Sequence, residues 1–308
     1  IGLLERGRRM EEVKLKIDAL KHLEVGFIGL GVMGYQMAAW TAKAGFSVSV
    51  YNRSSNVSEK WVKKFGGKNF SEPSELAETC DVVFICVGRD EDVLEVTSGK
   101  NGIFHTIKPG SLIVDHSTTS ANLSRELGAI ANQLNCNFID APVSGGEKGA
   151  IDGKLAIMCG GSSESFNLAK SIMECYATKI SLMGPHGSGQ LCKMVNQICI
   201  AGLLQGLSEG VNFAKNAGLD VEQVIEIISK GAAQSWQLDN RAVTMYQDKF
   251  DFGFAVKWMR KDLDYACAEA LKNSSPLPIT GQILGYYEEL EQAGDGELDT
   301  SSLIRRLR

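Results

Sequence analysis

The chain has 308 residues, 44% of them apolar and 22% charged. That balance excludes a disordered chain, and the length suits two domains with cores of their own. With 32 basic and 37 acidic residues the net charge is −5, and no long basic run appears, which argues against a nucleic-acid partner.

Residues 1–23 alternate charged and aliphatic side chains and lack the continuous apolar core of a secretion signal. One reading takes Met10 as the start, behind an upstream extension. The other is a short amphipathic helix over Glu11–Leu20. From Val25 the pattern alternates strand and helix. Val25–Ile28 is a strand that runs into the glycine turn Gly29-Leu30-Gly31-Val32-Met33-Gly34. A helix over 36–43 is stopped by Gly45. Ser47–Tyr51 is the second strand, and Ser55–Phe65 is a helix ended by Gly66-Gly67. Val82–Cys86 is an uninterrupted apolar run, as a parallel strand covered on both faces requires. Further strands are expected at 111–115, 138–140, 155–159 and 180–183. Strands separated by helices predict a doubly wound parallel sheet over residues 24–184.

The cluster Gly184-Pro185-His186-Gly187-Ser188-Gly189 marks a boundary. Beyond it, over 185–308, apolar periodicity predicts an all-helical domain. Its helices fall near 190–217, 220–230, 234–248, 253–272 and 277–293. The uncharged stretch Met194–Leu207 is too short and too polar to span a bilayer, so a buried helix is expected. Eight cysteines, at 80, 86, 136, 159, 175, 192, 199 and 267, form no Cys-x-x-Cys pair. They are expected to be reduced, mostly buried thiols of a cytoplasmic protein. The four histidines, at 22, 105, 116 and 186, show no metal-ligand spacing, so no metal is expected.

Gly29-x-Gly31-x-x-Gly34 follows a strand and opens a helix. Its glycines allow a tight turn, close approach of a pyrophosphate and close helix packing, and the helix N-terminus favours an anion. A dinucleotide cofactor is therefore expected, the alternative being a glycine turn without a ligand. An acidic residue at the end of the second strand would bind the two ribose hydroxyls of NAD. This chain has Asn52, Arg53 and Ser54 there, which accept a 2′-phosphate better than a carboxylate does. NADP is expected over NAD, unless Arg53 is only a solvated surface residue. Val87, directly after the apolar run, joins the cofactor residues.

Ser144-Gly145-Gly146, after a strand and Pro142, is either a cradle for a substrate carboxylate or an ordinary loop. Lys193, Asn196 and Gln197 share one face of the long helix. A lysine buried near the start of an uncharged helix has its charged form disfavoured, which suits acid–base work. The alternative is that it snorkels to solvent. The basic segment Phe254–Asp262 reads either as a solvated face or as one that lends a cation to the cofactor or substrate.

Four motifs in order resemble the β-hydroxyacid dehydrogenase family, which includes 3-hydroxyisobutyrate dehydrogenases, tartronate semialdehyde reductases and glyoxylate/succinic semialdehyde reductases. They are Gly-Leu-Gly-Val-Met-Gly at 29–34, Asp-Ala-Pro-Val-Ser-Gly-Gly at 140–146, Gly-x-x-x-Lys-x-x-Asn at 189–196, and Lys261-Asp262. The resemblance covers about residues 24–295. It implies a Rossmann-like first domain and an all-α second domain joined by a long interdomain helix. It also implies catalysis by Lys193 with Asn196, and substrate binding by Ser144, Gly145, Gly146, Lys193 and Asn196. Thr118 and Lys261 join Gly29 to Gly34, Asn52, Arg53, Ser54 and Val87 as cofactor residues.

Many members have two successive asparagines where this chain has Asn196-Gln197. Tartronate semialdehyde reductases look similar in carrying Asn-Gln, and also across 140–153, whereas Asn52-Arg53-Ser54 is more like the NADP-using semialdehyde reductases. The expected reaction is NADP-dependent interconversion of a short semialdehyde acid and its hydroxy acid, in a homodimer or homotetramer. Residues scattered through the helices, Trp236 among them, are expected to shape the side-chain pocket. NAD-dependent oxidation of 3-hydroxyisobutyrate or serine is the alternative enzyme, and a non-catalytic dinucleotide-binding scaffold the alternative class. Imine reductases share the architecture but usually lack the lysine.

Overall fold

The structure, a computed structural model, describes Leu15 and residues 17–308. Leu15 and residues 17–20 are helical, and Ile17 and Leu20 pack on the first core, while the expectations for the residues before Leu15 lie outside the described ones. The chain divides into two compact units, one ending at Lys193 and one running from Met194 to Arg308.

In the first unit nine strands form one sheet. They are β1 (Glu24–Ile28), β2 (Ser47–Tyr51), β3 (Lys68–Asn69), β4 (Val82–Ile85), β5 (Leu112–Asp115), β6 (Asn137–Asp140), β7 (Val143–Ser144), β8 (Leu155–Gly161) and β9 (Ala177–Gly184). The order is β3-β2-β1-β4-β5-β6-β8-β7, with β9 against β8. β1 to β6 pair in parallel, and β4 and β5 are buried along their whole length; β4 is accordingly an unbroken apolar run, while β5 is apolar up to Asp115. The order reverses between β1 and β4. In such a sheet ligands bind beyond the carboxyl ends of the strands at that reversal. Phe27 and Phe84 stack across these two strands at 4.8 Å, in the apolar core on one face of the sheet.

The sheet is not parallel throughout. β8 runs antiparallel to β6 and to β7. After β6 the chain makes the two-residue β7 and the six-residue helix α6 (Gly146–Ile151), then turns back without crossing the sheet. The other helices of this unit are α1 (Val32–Lys43), α2 (Ser55–Phe65), α3 (Pro73–Thr79), α4 (Asp90–Ser98), α5 (Ala121–Gln133) and α7 (Ser163–Met173). One apolar core lies on each face of the sheet. The sequence marks α2 to the residue, because Ser54 precedes it and Gly66 and Gly67, both at positive φ, end it. It misses α3 to α7, of which α3, α4 and α6 have nine residues or fewer.

Helix α8 (Ser188–Asn216) is followed by α9 (Val221–Ile228), α10 (Trp236–Tyr246), α11 (Val256–Asn273) and α12 (Pro278–Gln292). Each is within three residues of its expected ends. The expectation of a buried α8 needs correction. Ala201, Leu204 and Val211 are in the core, but Val195, Leu203 and Phe213 are exposed, so only one face is covered. The eight cysteines are free thiols; Cys80, Cys136 and Cys159 are buried, four are half-buried and Cys199 is exposed, fewer buried than expected. No described helix is long and apolar enough to cross a membrane.

Candidate active site

The glycine turn lies between β1 and α1, at the reversal of strand order. Gly29 has φ +93°, and a Cβ there would sit 2.3 Å from the carbonyl oxygen of Cys86. A Cβ on Gly34 would sit 2.0 Å from the oxygen of Gly29. Both glycines are required by backbone packing. Gly31 differs: a Cβ would meet nothing within 4 Å. Its openness lies at the first turn of α1, which holds no acidic residue. An uncovered helix N-terminus with room beside it fits the pyrophosphate of a dinucleotide.

Asn52 sits beside this turn. Its Oδ1 accepts from the Leu30 N–H at 2.9 Å, and its Nδ2 donates to the Ser54 oxygen at 3.1 Å. The amide thus ties the end of β2 to the glycine turn. Arg53 projects into solvent, its side chain 91% exposed, with Nη1 3.9 Å from Asp92 Oδ1 on α4. Ser54 stands at the N-cap of α2, with no side-chain cap bond. On the β4 side, the Val87 N–H donates to Ser117 Oγ at 2.9 Å, and Val87 Cγ1 would touch a Cβ on Gly29.

Thr118 is half-buried on the loop after β5, and that loop is clamped from α8. The wholly buried Gln190 donates through Nε2 to the Ser117 oxygen at 2.8 Å, and its Oε1 accepts from the Thr119 N–H at 3.1 Å. The start of α8 is held in turn by Asp140. Its Oδ1 accepts from Gly187 N–H at 2.7 Å and its Oδ2 from Gln190 N–H at 3.1 Å. Burial raises the Asp140 carboxyl above its ordinary value, and these two bonds oppose that rise. A Cβ on Gly189 would lie 2.5 Å from the Met158 oxygen, so the helix starts in close contact with the sheet.

One turn on, Lys193 is 7% exposed and its Nζ donates to the Val143 oxygen at 2.9 Å. The lysine therefore reaches the residue just before Ser144. Gly145 and Gly146 have φ +126° and +60° and are exposed. The roles of Asp140 and Gln190 are not read from the sequence. The available signal is that a helix starting at a boundary needs acceptors for its first N–H groups.

Two more buried groups lie at the carboxyl end of β5. Burial lifts Asp115 to about 7, and its Oδ1 accepts from the Ser117 N–H. His116 is pushed down to about 4, again by burial. Its Nδ1 lies 2.6 Å from the Ala141 oxygen, which only accepts, so Nδ1 carries the proton and Nε2 accepts from the Tyr176 hydroxyl at 2.9 Å. His116 also stacks on Phe84. It is a core residue.

In the second unit a chain of side chains runs inward from Asn196. Asn196 Nδ2 donates to Gln197 Oε1 at 2.8 Å, Gln197 Nε2 donates to Asp262 Oδ2 at 2.7 Å, and Lys261 Nζ lies 3.2 Å from Asp262 Oδ1. Gln197, Asp262 and Lys261 are all buried. The cations of the 254–262 segment divide between surface and interior. Lys257 pairs with Glu297, and Arg260 with Asp264 and Glu291, on the surface, while Lys261 lies inside near the Trp258 and Tyr265 rings. Trp236 is half exposed at the start of α10 and stacks against Arg241 at 5.0 Å.

Residues 24–184 match the family described as the NAD binding domain of 6-phosphogluconate dehydrogenase. Residues 187–307 match the one described as NAD-binding of NADP-dependent 3-hydroxyisobutyrate dehydrogenase. An uncharacterized oxidoreductase of Shewanella frigidimarina is 50% identical to this chain, covering 92% of it and 98% of the relative. The 2-hydroxy-3-oxopropionate reductase of Escherichia coli is 34% identical, over 92% and 97%. A crystal structure of 3-hydroxyisobutyrate dehydrogenase from Salmonella typhimurium superposes with a TM-score of 0.84 at 27% identity, covering 92% of this chain and 99% of that one. The glycine turn together with these relatives thus defines an NAD(P)-dependent oxidoreductase that acts on CH–OH groups. The chain belongs to the β-hydroxyacid dehydrogenase family.

Proposed function

We propose that this protein interconverts a short semialdehyde acid and its hydroxy acid with NADP(H), Lys193 serving as general acid and base. The observation that carries the reading is the buried Lys193 Nζ at the threshold of Ser144-Gly145-Gly146. The bound dinucleotide would give a hydride to the carbonyl carbon, or take one from the hydroxyl-bearing carbon. Ser144 and the Gly145 and Gly146 N–H groups hold the substrate carboxylate. Lys193 donates a proton to the oxygen during reduction and removes it during oxidation. Asn196, one helical turn on, orients the reacting oxygen. Gly29 to Gly34 seat the pyrophosphate, with Asn52 bracing the turn. Arg53 and Ser54 meet the 2′-phosphate, while Val87, Thr118 and Lys261 contact the rest of the cofactor. A homo-oligomer in the cytoplasm completes the proposal.

Lys193→Ala should lower kcat by about 10²- to 10⁴-fold in both directions while NADPH binding persists. The wild-type directions should depend oppositely on pH. Reduction needs the ammonium and fades as pH rises; oxidation needs the amine and fades as pH falls. A panel of semialdehydes and hydroxy acids, each with both cofactors, tests the whole reading. NADPH binding with no turnover, and a Lys193→Ala variant indistinguishable from wild type, would leave a dinucleotide-binding scaffold instead. One observation favours NAD as the second reading: Asp92 lies beside Arg53 and would repel a 2′-phosphate.

A further inference from the structure

We propose that Gln197 is a positioning residue: with Asp262 it fixes which way the Asn196 amide faces. The inference rests on the role given to Asn196 above. The carboxylate of Asp262 has only acceptors to offer, so Gln197 must turn its Nε2 toward Oδ2, 2.7 Å away. Its Oε1 is then the atom that faces Asn196. An amide oxygen only accepts, so Asn196 must present Nδ2, at 2.8 Å. One carboxylate thereby decides the orientation of two amides in series. Lys261 Nζ pairs with the other oxygen, Oδ1, at 3.2 Å, without a hydrogen bond to it. With Asn196 Nδ2 turned to Gln197, Oδ1 is the end of the amide turned away, an acceptor suited to the substrate hydroxyl.

The burial of Gln197 and Asp262 gives the arrangement its force. Water does not reach in to satisfy a misplaced donor, and a flipped Gln197 amide would set oxygen against Asp262 Oδ2 and donor against donor at Asn196 Nδ2. An asparagine at 197 would be one methylene shorter. It would not span the same two partners from the same backbone, so glutamine here belongs to a particular spacing between α8 and α11.

The test uses the full-length protein and its carbonyl substrate. Gln197→Met keeps length and loses both polar atoms. It should lower kcat roughly 10- to 100-fold, with the Kd for NADPH unchanged and the loss the same at every pH. Gln197→Glu separates positioning from mere filling of space. Protonated, the new side chain donates to Asp262 and accepts from Asn196, as glutamine does. Ionised, it sets a carboxylate against Asp262. Asp262 and Lys261 face it from α11, and Lys193 lies four residues earlier on its own helix. The ratio of Gln197→Glu to wild-type kcat should therefore climb by about tenfold from pH 8 to pH 6, which is about one proton-linked decade. Melting curves at both pH values confirm that the variants are folded at assay temperature. A Gln197→Met variant within twofold of wild type, or a flat Gln197→Glu ratio in folded protein, overturns the proposal. Asn196→Ala separates the two failures. If it loses activity while the Gln197 variants do not, only this inference fails; if it is silent, the role of Asn196 fails and takes this inference with it.

Discussion

Two glycine-bearing turns in the first unit open helices, and they use glycine for different reasons. In the 29–34 turn, Gly29 and Gly34 are pressed against backbone oxygens, and Gly31 alone has open space around its missing side chain. In the 144–146 turn no backbone atom lies within 3.5 Å of either absent Cβ, and the requirement comes from positive φ at Gly145 and Gly146. The first turn is built by packing with one opening left in it. The second is built by backbone conformation and stays exposed. The difference teaches that a glycine pattern is not itself a site: within one motif, some glycines hold the fold and one leaves room for a ligand.

The sharpest break of that comparison is Gly34→Ala. A methyl 2.0 Å from a carbonyl oxygen must push α1 off the sheet, at a cost of about 3 kcal/mol or more, read as a large fall in Tm. Gly31→Ala is the counterpart. Its Tm should stay near wild type, while the Kd for NADPH rises at least about tenfold, because the methyl fills the approach to the pyrophosphate. An unchanged Kd would mean that the opening is not the cofactor's. Gly146→Ala tests the second turn. Holding alanine in the left-handed region costs about 1–2 kcal/mol, and KM for the acid should rise with the Kd for NADPH unaffected.

A smaller effect concerns the β5 end between the two turns. Asp115, at about 7 in the folded protein, stands above its ordinary 3.8. Its contribution to stability is complete below pH 4 and is lost as pH rises through 7. His116, at about 4 against 6.5, works the other way, contributing above pH 6.5 and losing that contribution as pH falls toward 4. Asp115→Asn should therefore gain on wild type in Tm as pH rises from 4 to 7, and a gap that stays constant would refute the assignment. Arg53→Ala should give the mildest change. It lowers the NADP over NAD preference by several-fold, since an exposed guanidinium is well screened.

Much of the fold was legible in advance because the elements that carry it are unmixed in character. β4 is apolar throughout, and α2 is bounded by its own start and stop residues. The helices α3 to α7 were not legible. The reversal of β8 was not either, since strand direction depends on how the chain returns and not on what a strand contains. In the site, the same limit separates Lys193 from Gln190. A lysine in an uncharged helix is conspicuous. A glutamine is not, until its two amide atoms are found on either side of Thr118.

The sequence by itself determined the glycine turn, the strand–helix alternation, the helical second half and the lysine, because each is a local pattern with a local physical cause. Tertiary structure decided which glycine leaves space, that Asn52 braces the turn, that Asp140 and Gln190 hold the start of α8, and that Asp262 orients Gln197. Those assignments pair residues 22 to 73 positions apart. A hydrogen bond is specific only in three dimensions, and composition carries no trace of which donor meets which acceptor.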